Sequence, residues 1–344
     1  MTWTAPADRD RGLGALWGLA LGDALGTTTE FTAPPAPPYP ALATGPLDDI
    51  VGGGPFSLAP GEVTDDTQMA AALAQSLIVC DGDLDRVDLA ARFVDWQRHA
   101  FDVGSQIGAA LRRLGTGASV DDAARAVWLE RGKDAAGNGG LMRAAPLAVA
   151  YCARPDALID AALAEAALTH FDPRCRLAQA AYDAAIAVAV RPGGAPTAAG
   201  MLAAARAGLD EAAARLDAVG DDRDRITAAH AALTTDLDAA TADDPALYGA
   251  PLHLHRHQGF VRVAFRLAFW HLVHAPDFAA GVIDVANRGG DADTNAAIVG
   301  ALLGARDGLA TLPRRWVERV HDARPADEAL ATRYHPRALV ELVP

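Results

Sequence analysis

Residues 8–26 read DRDRGLGALWGLALGDALG. Leu13, Leu16, Trp17, Ala20 and Leu21 recur at steps of three and four, the spacing that gathers apolar side chains on one face of an α-helix. Asp8 stands where an N-cap would accept a hydrogen bond from the first free amides. Gly18, Gly22 and Gly26 fall four apart, which strips one stripe of that helix of side chains and suggests a close-packed neighbour. The prolines of TAPPAPPYP, Thr32 to Pro40, cannot continue the helix, because each removes an amide donor and fixes its own backbone angle. That stretch is expected to be a surface loop.

Outward from there the same periodicity returns in a dozen segments, from TDDTQMAAALAQSLIVC at Thr64 to TNAAIVGALLGA ending at Ala305, joined by short Gly- or Asp-containing connections. No convincing alternating strand interrupts them. Alanine, the strongest helix former, is abundant, while aromatics are only 6% of the 344 residues. The fold class expected is all-α, a compact orthogonal multi-helix bundle. No long polar linker divides the chain, so a single domain over 1–344 is expected, with a core of about 8–310 and a C-terminal extension at 311–344. No repeat of solenoid period is present.

A net charge of −14 disfavours nucleic acid and anionic membranes, which select for clustered Lys and Arg. Cys80, Cys152 and Cys175 are far apart and read as buried structural thiols. With no signal-peptide pattern and no apolar run of about 18 residues, a cytoplasmic protein is expected.

Two oxygen-rich clusters stand just before apolar helical runs. The first is Thr64, Asp65, Asp66 and Thr67 in GEVTDDTQMA; the second is Asp291, Asp293 and Thr294 in NRGGDADTN. Either alone reads as a helix cap, with Thr64 or Asp65 as N-cap of the first and Gly289 and Gly290 shaping the turn before the second. A calcium loop fails for the second, because Ala296 and Leu302 occupy the positions that need Gly and Glu. Together the clusters suggest something else. Four carboxylates and two hydroxyls in one pocket would repel unless cations neutralised them, and oxygen-only ligation suits Mg²⁺ or Mn²⁺ rather than Zn²⁺.

Elsewhere, GNGGLMR supplies Asn138, Gly139 and Gly140, whose small size lets backbone amides approach an anion. His170, in THFDPR, is either a ligand contact or a capping histidine. His253, His255 and His257 alternate but lack an accompanying carboxylate or thiolate, so a metal site is not expected there. Gly12, Gly14 and Gly18 do not spell a dinucleotide fingerprint, and no strand precedes them.

The blocks GLALGDALGTTTEF, GEVTDDTQMA, FDVGSQIGAAL, GNGGLMRAAPLA, THFDPRC, GFVRVAFRLAFWHL and RGGDADTNAAIVGALLGA, in this order from Gly18 to Ala305, resemble the ADP-ribosylglycohydrolases. The resemblance spans roughly Gly12 to Ala305. It implies a binuclear Mg²⁺ or Mn²⁺ centre held by Thr64, Asp65, Asp66, Asp291, Asp293 and Thr294, with Asp65 and Asp293 essential to catalysis. Glu30 matches the family's acid near the scissile bond. Asp102 resembles an acid of the arginine-type enzymes, which points to arginine as the acceptor. Asn138, Gly139, Gly140 and His170 are implied to bind substrate, and Asp23 to support the site. The partner implied is an ADP-ribosylated protein or a small ADP-ribosyl conjugate, with ADP-ribose as product. ADP-ribosylserine, O-acetyl-ADP-ribose, or a catalytically silent ADP-ribose module remain alternatives.

Overall fold

Pro6 opens the first helix, α1 (Pro6–Gly26), where a missing amide costs nothing because that group has no intrahelical acceptor. Asp8 is therefore inside the first turn rather than at the cap, and it binds Arg11 at 2.6 Å. The computed structural model describes residues 6–194, 196–220 and 222–344. Fifteen more helices follow: α2 (Asp65–Val79), α3 (Arg86–Trp96), α4 (Ser105–Gly115), α5 (Ala123–Glu130), α6 (Ala145–Tyr151), α7 (Pro155–Ala166) and α8 (Pro173–Val190), then α9 (Ala198–Ala218), α10 (Arg223–Ala239), α11 (Val261–His274), α12 (Phe278–Arg288), α13 (Ala292–Asp307), α14 (Arg314–Asp322), α15 (Glu328–Ala331) and α16 (Pro336–Val340). Among the described residues there is no sheet, only isolated bridges such as Gly137 with Phe260.

The glycine stripe of α1 finds its partner in α13, running antiparallel. A Cβ on Gly18 would sit 2.2 Å from the Gly300 carbonyl oxygen, and one on Gly300 would sit 2.2 Å from the Gly18 carbonyl oxygen. Gly14 meets Gly304, Gly22 meets Ala296 and Gly26 meets Ala292 in the same way. Backbone touches backbone along four turns. Only glycine fits on the α1 side, so its pattern of one Gly every fourth residue fixes the register of the pair. At Gly26 an added Cβ would also lie 2.5 Å from Asp293 Cα, so the seam ends on the second acidic cluster.

The proline loop after α1 is tied down by α12. Arg288 donates to the Pro37 and Ala41 carbonyls, its guanidinium lies 3.7 Å from the Tyr39 ring centroid, and Asn287 bonds both the amide and the carbonyl of Leu47. These contacts deliver the chain to Thr64. The buried core runs continuously from Leu13 to Val343. Residues 311–344 take part in it: Trp316, Leu339 and Val343 are buried, and α16 packs on α2. The sparse apolar pattern of these short helices hides that role in sequence. All three cysteines are free.

Candidate metal centre

Thr64 occupies the N-cap position of α2 with extended backbone, and Asp291 the N-cap position of α13, yet neither side chain makes a capping hydrogen bond. Capping does not explain the clusters. The Thr64 hydroxyl lies instead among carboxylates, 2.8 Å from Asp66 Oδ2, 2.9 Å from Asp23 Oδ1 and 3.4 Å from Asp293 Oδ2. The two clusters thus meet, drawn together by the α1–α13 seam on one side and α2 on the other.

Asp23, near the C-terminal end of α1, braces this junction. Its carboxylate accepts from the amide and hydroxyl of Thr64 and of Thr67, at 2.5 to 3.1 Å. Asn138 holds Asp291 by donating to Oδ2 at 2.7 Å, and the Thr294 amide donates to Asp293 Oδ1 at 2.8 Å. Two groups of carboxylate oxygens converge, each within 4.8 Å: Asp23, Asp66 and Asp293 in one, Glu30, Asp291 and Asp293 in the other. Asp293 belongs to both. Asp65 faces the open side, within hydrogen-bonding reach of Asp102.

The electrostatics are those of a crowded, buried cluster of carboxyl groups. Burial, then the negative charges around it, push Glu30 up to about 8. Burial raises Asp23 to about 6 against the hydrogen bonds it accepts. Asp65, Asp66 and Asp293 are driven far above the carboxylate range by burial and then by their acidic neighbours. Asp102 and Asp291 are raised too, burial again leading. Asp66 Oδ1 and Glu30 Oε2 are buried with no hydrogen-bond partner among the described residues. Orphaned acceptors beside converging carboxylates fit hard divalent cations, which such a site would bind through oxygen.

The sequence pattern of the ADP-ribosylglycohydrolase family matches residues 4–342, nearly the whole chain. The chain belongs to the ADP-ribosylglycohydrolase family. It is 30% identical to the ADP-ribosyl-[dinitrogen reductase] glycohydrolase of Rhodospirillum rubrum over 322 residues, 92% of each chain. It is also 30% identical to an ADP-ribosylarginine hydrolase of Pseudomonas putida, covering 93% of this chain and 76% of the relative. A solved structure titled ADP-ribosylglycohydrolase-related protein complex superposes with a TM-score of 0.69 at 29% identity, covering 98% of this chain and 99% of the other. The chain is accordingly a glycohydrolase of this family, all-α like its structural neighbour, with an acidic cluster suited to metal.

A cleft of about 820 Å³ opens over this glycohydrolase centre, its walls including Glu30, Asp65, Asp102, Asp291 and Thr294. Asn138, Gly139 and His170 line it, while Gly140 lies behind the wall, where a Cβ would meet the Gln179 side chain at 2.9 Å. The Asn138 amide donates to the Gly259 carbonyl, so it is spent inside the protein. Gly139 has a second reason to be small: a Cβ there would lie 2.8 Å from Ile107 Cδ1 and 2.9 Å from His170 Cε1. Burial holds His170 well below its usual range, hence neutral, and its Nδ1 is 2.8 Å from the Thr169 hydroxyl. It caps no helix. His253, His255 and His257 join no metal-ligating group among the described residues; His255 Nε2 bonds the Arg288 carbonyl.

Sequence reasoning missed several cleft residues: Phe31, Gln106, Arg131, Arg174 and Phe260. Arg174 is held by Asp172 and Asp134, and Gln106 by the Ala135 and Thr169 carbonyls. Phe31, Gln106, Arg174 and Phe260 fall inside the blocks quoted above, but only tertiary packing shows that they reach the cleft. No helix among the described residues is long and apolar enough to cross a membrane.

Proposed function

We propose that this chain is a cytoplasmic hydrolase that removes ADP-ribose from an ADP-ribosylated protein, with arginine as the acceptor, and that it works with two Mg²⁺ or Mn²⁺ ions. One observation carries this reading. Seven carboxyl groups crowd one junction, and their hydrogen-bond partners are Thr64, Thr67, Asn138, Thr294, the backbone of Val103 and Gly259, and one another, not Lys or Arg. Thr64, Asp65, Asp66, Asp291, Asp293 and Thr294 would hold the ions. Bound there, the ions supply Lewis-acid polarisation of ribose and water oxygens.

The chain's own groups do the rest. Asp23 fixes Thr64 and Thr67, and Asn138 fixes Asp291, so the donor set is oriented before substrate arrives. Cleaving the bond at the anomeric carbon builds positive charge on the sugar. Glu30 and Asp102, both on the cleft wall, stand ready to stabilise it. Asn138, Gly139 and neutral His170 shape the wall that receives the nucleotide, with Gly140 supporting them from behind.

Arginine is supported by Asp102 and by the relative named an ADP-ribosylarginine hydrolase. The same cleft geometry admits a serine-linked conjugate or O-acetyl-ADP-ribose, so the acceptor is set by assay. Peptides carrying arginine-linked or serine-linked ADP-ribose are incubated with Mg²⁺, Mn²⁺ or EDTA, and free ADP-ribose is measured. Faster release from arginine, abolished by EDTA, is expected. Preference for serine would overturn the arginine assignment, and release unaffected by EDTA would overturn the metal.

A further inference from the structure

Phe31 is an exposed aromatic directly beside the acidic junction. It follows Glu30, it lines the cleft, and 55% of its surface is open to solvent. Its φ is +60°, a region that bulky side chains rarely enter unless the surroundings enforce it. Here they do. The Phe31 amide donates to the Gly290 carbonyl at 2.6 Å and the Gly290 amide donates back to the Thr32 carbonyl at 2.8 Å, clasping the chain next to Asp291. A hydrophobic ring is thus held out into solvent, in a strained conformation, by the loop that carries the candidate metal ligands.

The second exposed phenylalanine lies in the same region. Phe101 is 43% exposed, directly precedes the cleft-lining Asp102, and packs on Phe56 at 5.4 Å between ring centroids. Phe56 sits in a small turn whose Gly54 abuts the Thr27 carbonyl and whose Gly52 carbonyl accepts from Thr28, just before Glu30. Among the described residues the other phenylalanines are buried or half-buried. Aromatic faces and carboxylates together are the environment a planar cation prefers.

We propose that Phe31 is a specificity residue for the acceptor: its ring packs against the guanidinium of the modified arginine while Glu30 and Asp102 supply the opposing charge. This rests on the arginine reading above. A serine or acetyl acceptor has no planar cation and would gain nothing from the ring's π-face.

The test compares Phe31→Leu and Phe31→Tyr with the wild type in the Mg²⁺-loaded protein. Two quantities are read: kcat/KM on an arginine-linked peptide and Kd for ADP-ribose, which lacks the acceptor. Phe31→Leu is expected to lower kcat/KM by roughly 3- to 30-fold, with Phe31→Tyr within about twofold of wild type and the ADP-ribose Kd within about twofold in both. An unchanged kcat/KM in Phe31→Leu overturns the proposal while leaving the arginine reading intact. A weakened ADP-ribose Kd also overturns it, since the ring would then be reading the nucleotide. A wild type inactive on the arginine-linked peptide overturns the arginine reading and this one with it.

Discussion

Asp236 and Asp284 lie as deep in the protein as Asp66 and Asp293, yet the two pairs live in opposite surroundings. Asp236 is clamped by Arg262 at 2.7 Å and 2.9 Å and by Arg266 at 2.8 Å. Asp284 is bonded by His271 and Arg288, each at 2.7 Å, and by the Ala43 amide. Burial alone would push Asp284 up, but its partners outweigh burial and hold it below the usual carboxylate range. Asp66 and Asp293 have no such cation and are driven upward. The molecule neutralises the buried carboxylates of Asp236 and Asp284 with arginine. At the junction of α1, α2 and α13 no arginine or lysine pairs with Asp66 or Asp293 among the described residues.

The contrast predicts different consequences for removing each kind of acid. Asp236→Ala would strand Arg266 in the interior without its counter-charge, and is expected to cost about 3–5 kcal/mol of folding stability, read by denaturant unfolding. Asp293→Ala removes a repelling charge, so metal-free stability should hold or rise. Turnover measured with saturating Mg²⁺ should nonetheless fall by about 10²-fold or more, as for loss of one preorganised group. Equal stability losses in the two variants would erase the distinction.

The fold was legible where the helical period was long and strong. The glycine stripe of α1 announced a close neighbour, and that neighbour is α13; the acidic clusters announced a shared pocket, and they meet through Thr64. Asp8 misled because a cap and a first-turn acid look alike in sequence, and Pro6 decides between them. Residues 311–344 looked peripheral because their helices are short, though Trp316 is fully buried. Glu30 and Asp23 share oxygen clusters with Asp293 that no local motif could reveal, since those distances are set by the α1–α13 register. Phe31 gave no signal either. Its exposure follows from a left-handed backbone imposed by contact with Gly290, which lies far away in sequence.

A smaller effect sharpens the same contrast through pH. A carboxylate raised in the folded state contributes stability below its unfolded value, near 4 to 4.5, and loses it as pH climbs through the folded value. With Asp23 at about 6 and Glu30 at about 8, the metal-free protein should become less stable between about pH 4 and pH 8. Bound cations favour the ionised forms and should flatten or reverse that slope. Thermal unfolding in EDTA and in Mg²⁺, at the two ends of this range, checks it: a Mg²⁺ stabilisation no larger at high pH than at low pH would contradict the account.

Uptake of two divalent cations at the junction through a shared Asp293 is tested by calorimetric titration of Mn²⁺ into EDTA-stripped protein. Two ions per chain are expected for the wild type, with both sites lost or severely weakened in Asp293→Asn. No binding in the wild type, or wild-type binding retained in Asp293→Asn, would contradict it.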